Sequence, residues 1–327
     1  MIAAMPFLLT GAGPSASAPP PPSLDLPIAC TPGKNCFVQQ YFDHDPGPGA
    51  KDYRCGSRVY DGHDGVDIRL PSVAAQRRGV AVLASADGVV TGARDGVEDR
   101  ILVTDADRAA IRGRECGNGV LVTHANGWQT QYCHMARGSI AVAKGQEVKA
   151  GAKLGLVGLS GDTQFPHVHL TVRQGAREVD PFAPDATPGR CAATGGRTLW
   201  SRAAAAALAY RTTEVINIGF ADGPVDMDGI EAQGMRVPTA ASGAIVVYGR
   251  AIGLRAGDRM QVALTGPDGA VLAENGTPIT ANKAQYMLFG GKRRPVAGWP
   301  KGRYGARVTV TRGGSAVANA SESISLP

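Results

Sequence analysis

All six histidines of the chain lie before residue 170, and five of them fall in three short segments. The last segment, "QFPHVHLTV" at 164–172, sets His167 and His169 one residue apart in a run that otherwise reads as a β-strand. Side chains alternate between the two faces of a strand, so both imidazoles point the same way and converge on one spot. Pro166 suits the first position of such a strand because it removes one ladder donor. Neutral imidazole is the commonest protein metal ligand and also a proton carrier near neutral pH. A polar pair on an exposed sheet face is the plainer reading of an isolated H-x-H.

The first segment, "YDGHDGVDI" at 60–68, contains His63-x-x-x-Asp67. On a straight strand these side chains would sit about 13 Å apart at ~3.3 Å per residue. Gly62, Gly65 and Val66 argue against a helix, which leaves a glycine-bent loop that can fold both side chains onto one ion. Histidine plus carboxylate is good zinc chemistry, although the motif alone also reads as a solvated turn. The middle segment is "VLVTHANGWQTQYCHM". A hairpin centred on Asn126 would bring His124 near Tyr132 and place His134 two residues further along the same face. His124 itself reads as a structural hairpin histidine. Together the segments suggest three protein ligands and an open position for water, the arrangement of a catalytic rather than a structural zinc. No G-x-S-x-G, H-E-x-x-H or P-loop competes with it.

The ordered motifs "GHDGVD", "YCHM" and "GLSGDTQFPHVHL" resemble those of the lysostaphin/LytM-type zinc metallopeptidases: H-x-x-x-D, then Y-x-H-[LM], then H-x-H after a Gly/Ser-rich turn. The resemblance covers roughly residues 60–182. It implies that His63, Asp67 and His169 bind Zn2+ and that His134 and His167 are an unliganded catalytic pair. It implies an antiparallel β-sheet with a substrate groove, and hydrolysis of peptide bonds in peptidoglycan, either D,D-cross-links or glycine bridges. The flanks are similar to those of some Gram-negative exported members, which favours cross-links. Two other readings stay open: a non-hydrolytic wall-binding or amidase-activating protein on the same fold, and a secreted protease acting on protein substrates. One departure is Leu170-Thr171, where family members often carry Phe-Glu.

Around these motifs the chain of 327 residues is long enough for more than one domain. Its 44 glycines and 22 prolines indicate many turns. The expected class is all-β, with a peptidase domain over 28–195 and a small β-sandwich over 213–327. The sandwich holds no histidine or cysteine, so it reads as an accessory domain dispensable for chemistry. Residues 199–211, "LWSRAAAAALAYR", read as a short helix linking the two. Residues 1–18 resemble a secretory signal, with cleavage after Ala18 or Ala12, and 19–27 a Pro-rich linker.

Six cysteines outside any C-x-x-C pattern, none after Cys191, argue for disulfides in an oxidising compartment, periplasmic or extracellular. The hairpin makes Cys116–Cys133 feasible, Cys30–Cys36 closes a short turn, and elimination leaves Cys55–Cys191. No transmembrane anchor is expected. The net charge of +6 comes without a Lys/Arg run or interleaved aromatics, which argues against nucleic acid and suits a carboxylate-rich wall polymer. Asp43-His44-Asp45 reads as a solvated loop, or as the donor of a ligand that masks the metal.

Overall fold

The computed structural model describes residues 20–187, 189–191 and 196–327. The proposed signal segment, including both cleavage positions, lies outside them. The first two-thirds of the chain builds strands β1 (Phe37–Gln40), β2 (Val66–Arg69), β3 (Ala81–Leu83), β4 (Gly88–Arg94) and β5 (Asn118–Thr123). Strands β6 (Trp128–Met135), β7 (Glu147–Val148), β8 (Lys153–Leu156), β9 (His167–Gln174) and β10 (Arg177–Glu178) follow. Two short helices interrupt them, α1 (Val73–Arg77) and α2 (Asp105–Ala110). The main sheet runs β1-β2-β9-β6-β5-β4-β7, with β10 paired to β9, and its ladders are antiparallel.

Strand β9 lies inside this sheet between β2 and β6, and alternation decides what it shows on each side. Val168, Leu170 and Val172 point into the core and are almost fully buried, while His167, His169 and Thr171 line a groove on the opposite face. Neighbouring β2 does the same, with Val66 and Ile68 in the core and Asp67 and Arg69 in the groove. Burying branched side chains on one face fixes the register, because a slip of one residue would turn the histidines inward. The β5–β6 hairpin turns through Ala125–Gly127, closed by His124 N–H on the Trp128 carbonyl, with Asn126 and Gly127 both at positive φ (66° and 74°), the left-handed region these two residue types tolerate best. The disulfides are Cys30–Cys36, Cys55–Cys191 and Cys116–Cys133, the pairing expected from the sequence.

Helix α3 (Arg202–Ala207) packs on the first core through Ala204, with Leu199, Trp200 and Leu208 around it. Leu24, inside the stretch read as a linker, is also buried in that core and hydrogen-bonds to the backbone of Leu199.

Beyond it lie β11 (Glu214–Ala221), α4 (Met227–Ala232), β12 (Ala244–Leu254), β13 (Arg259–Thr265) and β14 (Val271–Pro278). Strands β15 (Lys283–Arg293), β16 (Gly302–Arg312) and β17 (Ser315–Leu326) complete it. Sheets β11-β12-β15 and β14-β13-β16-β17 enclose a second core that includes Val247, Val262, Leu264 and Val308. The two units are fastened to each other. Phe37 of β1 packs with Ile216 and Ile252, and Arg250 of β12 reaches across to the backbone carbonyl of Pro71. Glu231 of α4 accepts from the backbone N–H of Val73 at 2.8 Å.

Candidate metal centre

The loop between β1 and β2 brings His63 and Asp67 together. Gly62 supplies a backbone at φ 75°, and its N–H donates to the Asp43 carboxylate at 2.9 Å. Gly65 is required for space, since a Cβ there would lie 2.6 Å from His169 Nε2 and from the Leu170 carbonyl oxygen. The bend sets His63 Nε2 3.2 Å from Asp67 Oδ1. His169, directly across the ladder from Asp67, puts Nδ1 2.8 Å from the same oxygen and 3.2 Å from His63 Nε2. His63, Asp67 and His169 therefore form one buried cluster able to hold a metal ion.

The spacing fits a small tetrahedral cation, whose ligand atoms stand about 3.3 Å apart when bonded at ~2.0–2.1 Å. Hydrogen bonds at the far side of each ring free the right nitrogen. His63 Nδ1–H donates to the Tyr41 carbonyl at 2.6 Å, leaving Nε2 as the lone pair. For His169 the far nitrogen is Nε2, 3.1 Å from Asp64 Oδ1 and 3.0 Å from Thr171 Oγ1. Thr171, at the departure noted in the sequence, thus helps to orient the ring.

His134 and His167 complete the floor. Their rings stand 4.5 Å apart between centroids, and His134 is 6.0 Å from His169 by the same measure. His167 Nδ1–H donates to the Phe165 carbonyl at 2.8 Å, and His134 Nδ1–H to that of Ser160 at 2.8 Å. Both therefore keep an unprotonated Nε2 in their neutral forms.

The route by which His134 reaches the groove differs from the expected one. Tyr132 faces the core, where its hydroxyl accepts from the Ser85 N–H at 2.7 Å. Strict alternation from Tyr132 would bury His134 beside it. Instead His134 adopts a left-handed backbone, φ 59°, next to a register shift in the β5–β6 ladder. A non-glycine residue rarely does this, and such strain is stored at functional sites. The Cys116–Cys133 disulfide and a 2.8 Å bond from His134 N–H to the Cys116 carbonyl hold the bulge. His124 lies outside the cluster, at the hairpin end, bonded to the Asp87 carbonyl and Thr130 Oγ1 at 2.8 Å each. His44 is not solvated and is not one of the clustered donors, being buried against Asp180 with Nε2 2.7 Å from the carboxylate.

Charge follows the same geometry. Burial opposes ionisation of Asp67, but the charges of His63 and His167 outweigh it and hold the carboxyl well below the usual range. Burial likewise disfavours a charged His169, yet hydrogen bonds to Asp64 and Asp67 raise its pKa to about 9. For His134, burial and then the charges of His167 and His169 push the imidazole well below its ordinary value. Asp64 has no place in H-x-x-x-D, which ends on Asp67, so the motif gives it no role. Its adjacency to His63 in a bent loop was the available signal.

Residues 61–181 match the model of Peptidase family M23. This segment is an M23 domain. Over 125 residues the chain is 36% identical to the cell division protein DipM of Caulobacter vibrioides, covering 36% of this chain and 17% of that protein. It is 30% identical over 118 residues to the peptidoglycan DD-endopeptidase ShyA of Vibrio cholerae, covering 36% of this chain and 22% of that one. The DD-carboxypeptidase/endopeptidase Mpg of Neisseria meningitidis is 32% identical over 123 residues, covering 37% of this chain and 22% of that protein. The chain thus spans only 17% to 22% of the length of these relatives. Among solved structures, the catalytic domain of lysostaphin from Staphylococcus simulans aligns at 20% identity and a TM-score of 0.29, covering 43% of this chain and 85% of that one. Within this segment Asp67, His134, His167 and His169 line one groove with a volume of about 590 Å³, and His63 joins Asp67 and His169 in the buried cluster.

Proposed function

We propose that the chain is an exported zinc metallopeptidase that hydrolyses peptide cross-links of bacterial peptidoglycan. The observation that carries this reading is the floor of the groove. Three donor atoms converge there at metal-ligand spacing, beside two histidines whose Nδ1–H groups are tied to backbone carbonyls.

Zinc held by His63 Nε2, Asp67 and His169 Nδ1 would supply a Lewis acid that acidifies water and polarises the scissile carbonyl. The chain supplies the rest. Burial and the neighbouring His167 and His169 keep His134 neutral, and with its Nδ1–H committed to the Ser160 carbonyl it presents an unprotonated Nε2 to take a proton from the attacking water. His167, whose ring lies beside it at 4.5 Å between centroids, is placed to donate from Nε2 when protonated, to the developing oxyanion or the departing amine. The open groove admits an extended peptide. The choice of wall cross-links rests on relatives named as peptidoglycan DD-endopeptidase and DD-carboxypeptidase/endopeptidase. Export is supported by three disulfides, which persist in oxidising compartments. Among the described residues, no helix is long and apolar enough to cross a membrane.

The test is metal analysis of the purified chain together with digestion of purified sacculi and mass spectrometry of the released fragments. Fragments cut within peptide cross-links, lost on chelation and restored by zinc, are expected. A folded, zinc-loaded protein that leaves sacculi and soluble muropeptides intact would sink the reading and favour a wall-binding role.

A further inference from the structure

The second domain supplies part of the groove. Ala284 and Gln285, on β15 of the sandwich, line the same cavity as the histidine cluster. They are fixed there by Arg69, two residues after Asp67 on β2 and on the same face of the strand. Arg69 Nη1 donates to Gln39 Oε1 at 2.9 Å and to Gln285 Oε1 at 3.4 Å, while Gln39 Nε2 donates to the Ala284 carbonyl at 3.1 Å. A guanidinium can only donate, so it must meet the oxygen of the Gln285 amide. The NH2 of Gln285 is thereby left for a ligand in the groove it lines.

The charge at this end is unbalanced. Arg69 is only 1% exposed and Arg250 fully buried, yet both share Glu231, which is 3.9 Å from Arg69 and ion-paired with Arg250. Arg58, another buried cation, pairs at 2.9 Å with Glu214, a carboxylate it shares with Arg211. Arg69 and Arg250 thus face one carboxylate, and among the described residues Arg69 Nη2 has no hydrogen-bond partner. A buried cation without its full complement of anion is costly, and an anionic ligand group in the adjoining groove would offset that cost. Elsewhere on the lining of the groove, Asp64, Glu115 and Asp162 accompany Arg108 and Arg173.

We propose that the interdomain end of the groove is a subsite for a carboxylate of the substrate peptide, bound by the Gln285 amide over the Arg69 charge. The sandwich domain then takes part in substrate selection. This rests on the peptidase reading, because the occupant is taken to be the peptide that crosses the cluster. The side chain of Gln285 is exposed, so it can be altered without disturbing either core.

The experiment uses the full chain and a soluble cross-linked muropeptide, in its free-carboxylate form and with those carboxylates amidated. Wild type should show a KM on the order of 10-fold lower for the free form, the scale of one hydrogen bond to a charged group. Gln285→Ala should shrink that preference, and Gln285→Glu should abolish or reverse it, with KM changing more than kcat. Binding of the same two peptides to the full chain, followed calorimetrically, judges the subsite independently of turnover. If neither peptide is cleaved but the preference and its loss in Gln285→Glu appear in binding, the hydrolase reading fails and the subsite stands. Equal KM and equal affinity for the two peptides, unaltered in Gln285→Glu, would overturn the subsite while leaving the hydrolase reading intact.

Discussion

Removing His169 and removing His134 should produce different kinds of damage. His169 Nδ1 lies 2.8 Å from Asp67 Oδ1 and 3.2 Å from His63 Nε2, so His169→Ala deletes one of three converging donors. Zinc held by protein ligands is worth roughly 10–16 kcal/mol in small structural sites, so one ligand of four is worth about 3 kcal/mol, or ~10² in affinity. The variant should come off a column largely without zinc, and activity should go with the metal. His134 contributes no donor to that cluster. His134→Asn is the cleaner variant than alanine, because asparagine tolerates the left-handed backbone that φ 59° imposes. It should retain zinc while hydrolysis falls by ~10²–10⁴, the scale for losing a positioned acid/base or oxyanion stabiliser. Metal content by atomic emission and initial rates on one muropeptide, measured on the same samples, separate the two classes. Zinc lost from His134→Asn and kept by His169→Ala would refute the assignment of roles.

Two further outcomes follow from the same cluster. Gly65→Ala touches no donor, yet its Cβ would sit 2.6 Å from His169 Nε2 and from a backbone oxygen that cannot retreat. It should weaken zinc binding and lower stability by about 1–3 kcal/mol, whereas Gly62→Ala, with open space around its Cβ, should cost only about 1 kcal/mol and keep the metal; equal zinc affinity in Gly65→Ala and wild type counts against the packing argument. For pH, His169 is raised to about 9 and is therefore protonated at neutrality in the metal-free chain, while Asp67 and His134 are already unprotonated. Zinc must displace the His169 proton, so affinity should climb with pH up to about 9 and roughly one proton should be released per zinc at pH 7.5. Calorimetry in buffers of different ionisation enthalpy reads that number, and none released would contradict it.

How much of this was legible depended on whether a residue's neighbours in sequence were also its neighbours in space. His167 and His169 could be placed because strand alternation is local, and Val168 and Leu170 on the opposite face make the pattern unambiguous. His63 and Asp67 were legible because two glycines leave few other conformations for the loop. His134 reached its expected neighbourhood by an unexpected path. The alternation that worked on β9 fails on β6, where a left-handed residue reverses the face, and nothing in "YCHM" announces that reversal. A rule of period 2 holds only while the ladder is continuous.

The groove's far wall was beyond local reading altogether. Gln285 is 216 residues from the Arg69 that holds it, and it sits in a strand whose local pattern looks like that of any exposed edge. Arg69 offered one local hint, since a charged residue on the face of β2 opposite Val66 and Ile68 needs partners from somewhere. Those partners come from a domain that carries no histidine and no cysteine and therefore reads as an accessory. The lack of metal-ligating residues excludes a domain from the metal centre only. It leaves open the binding of the rest of the substrate, which needs hydrogen-bond donors and charge rather than imidazole, and β15 stands where those are required.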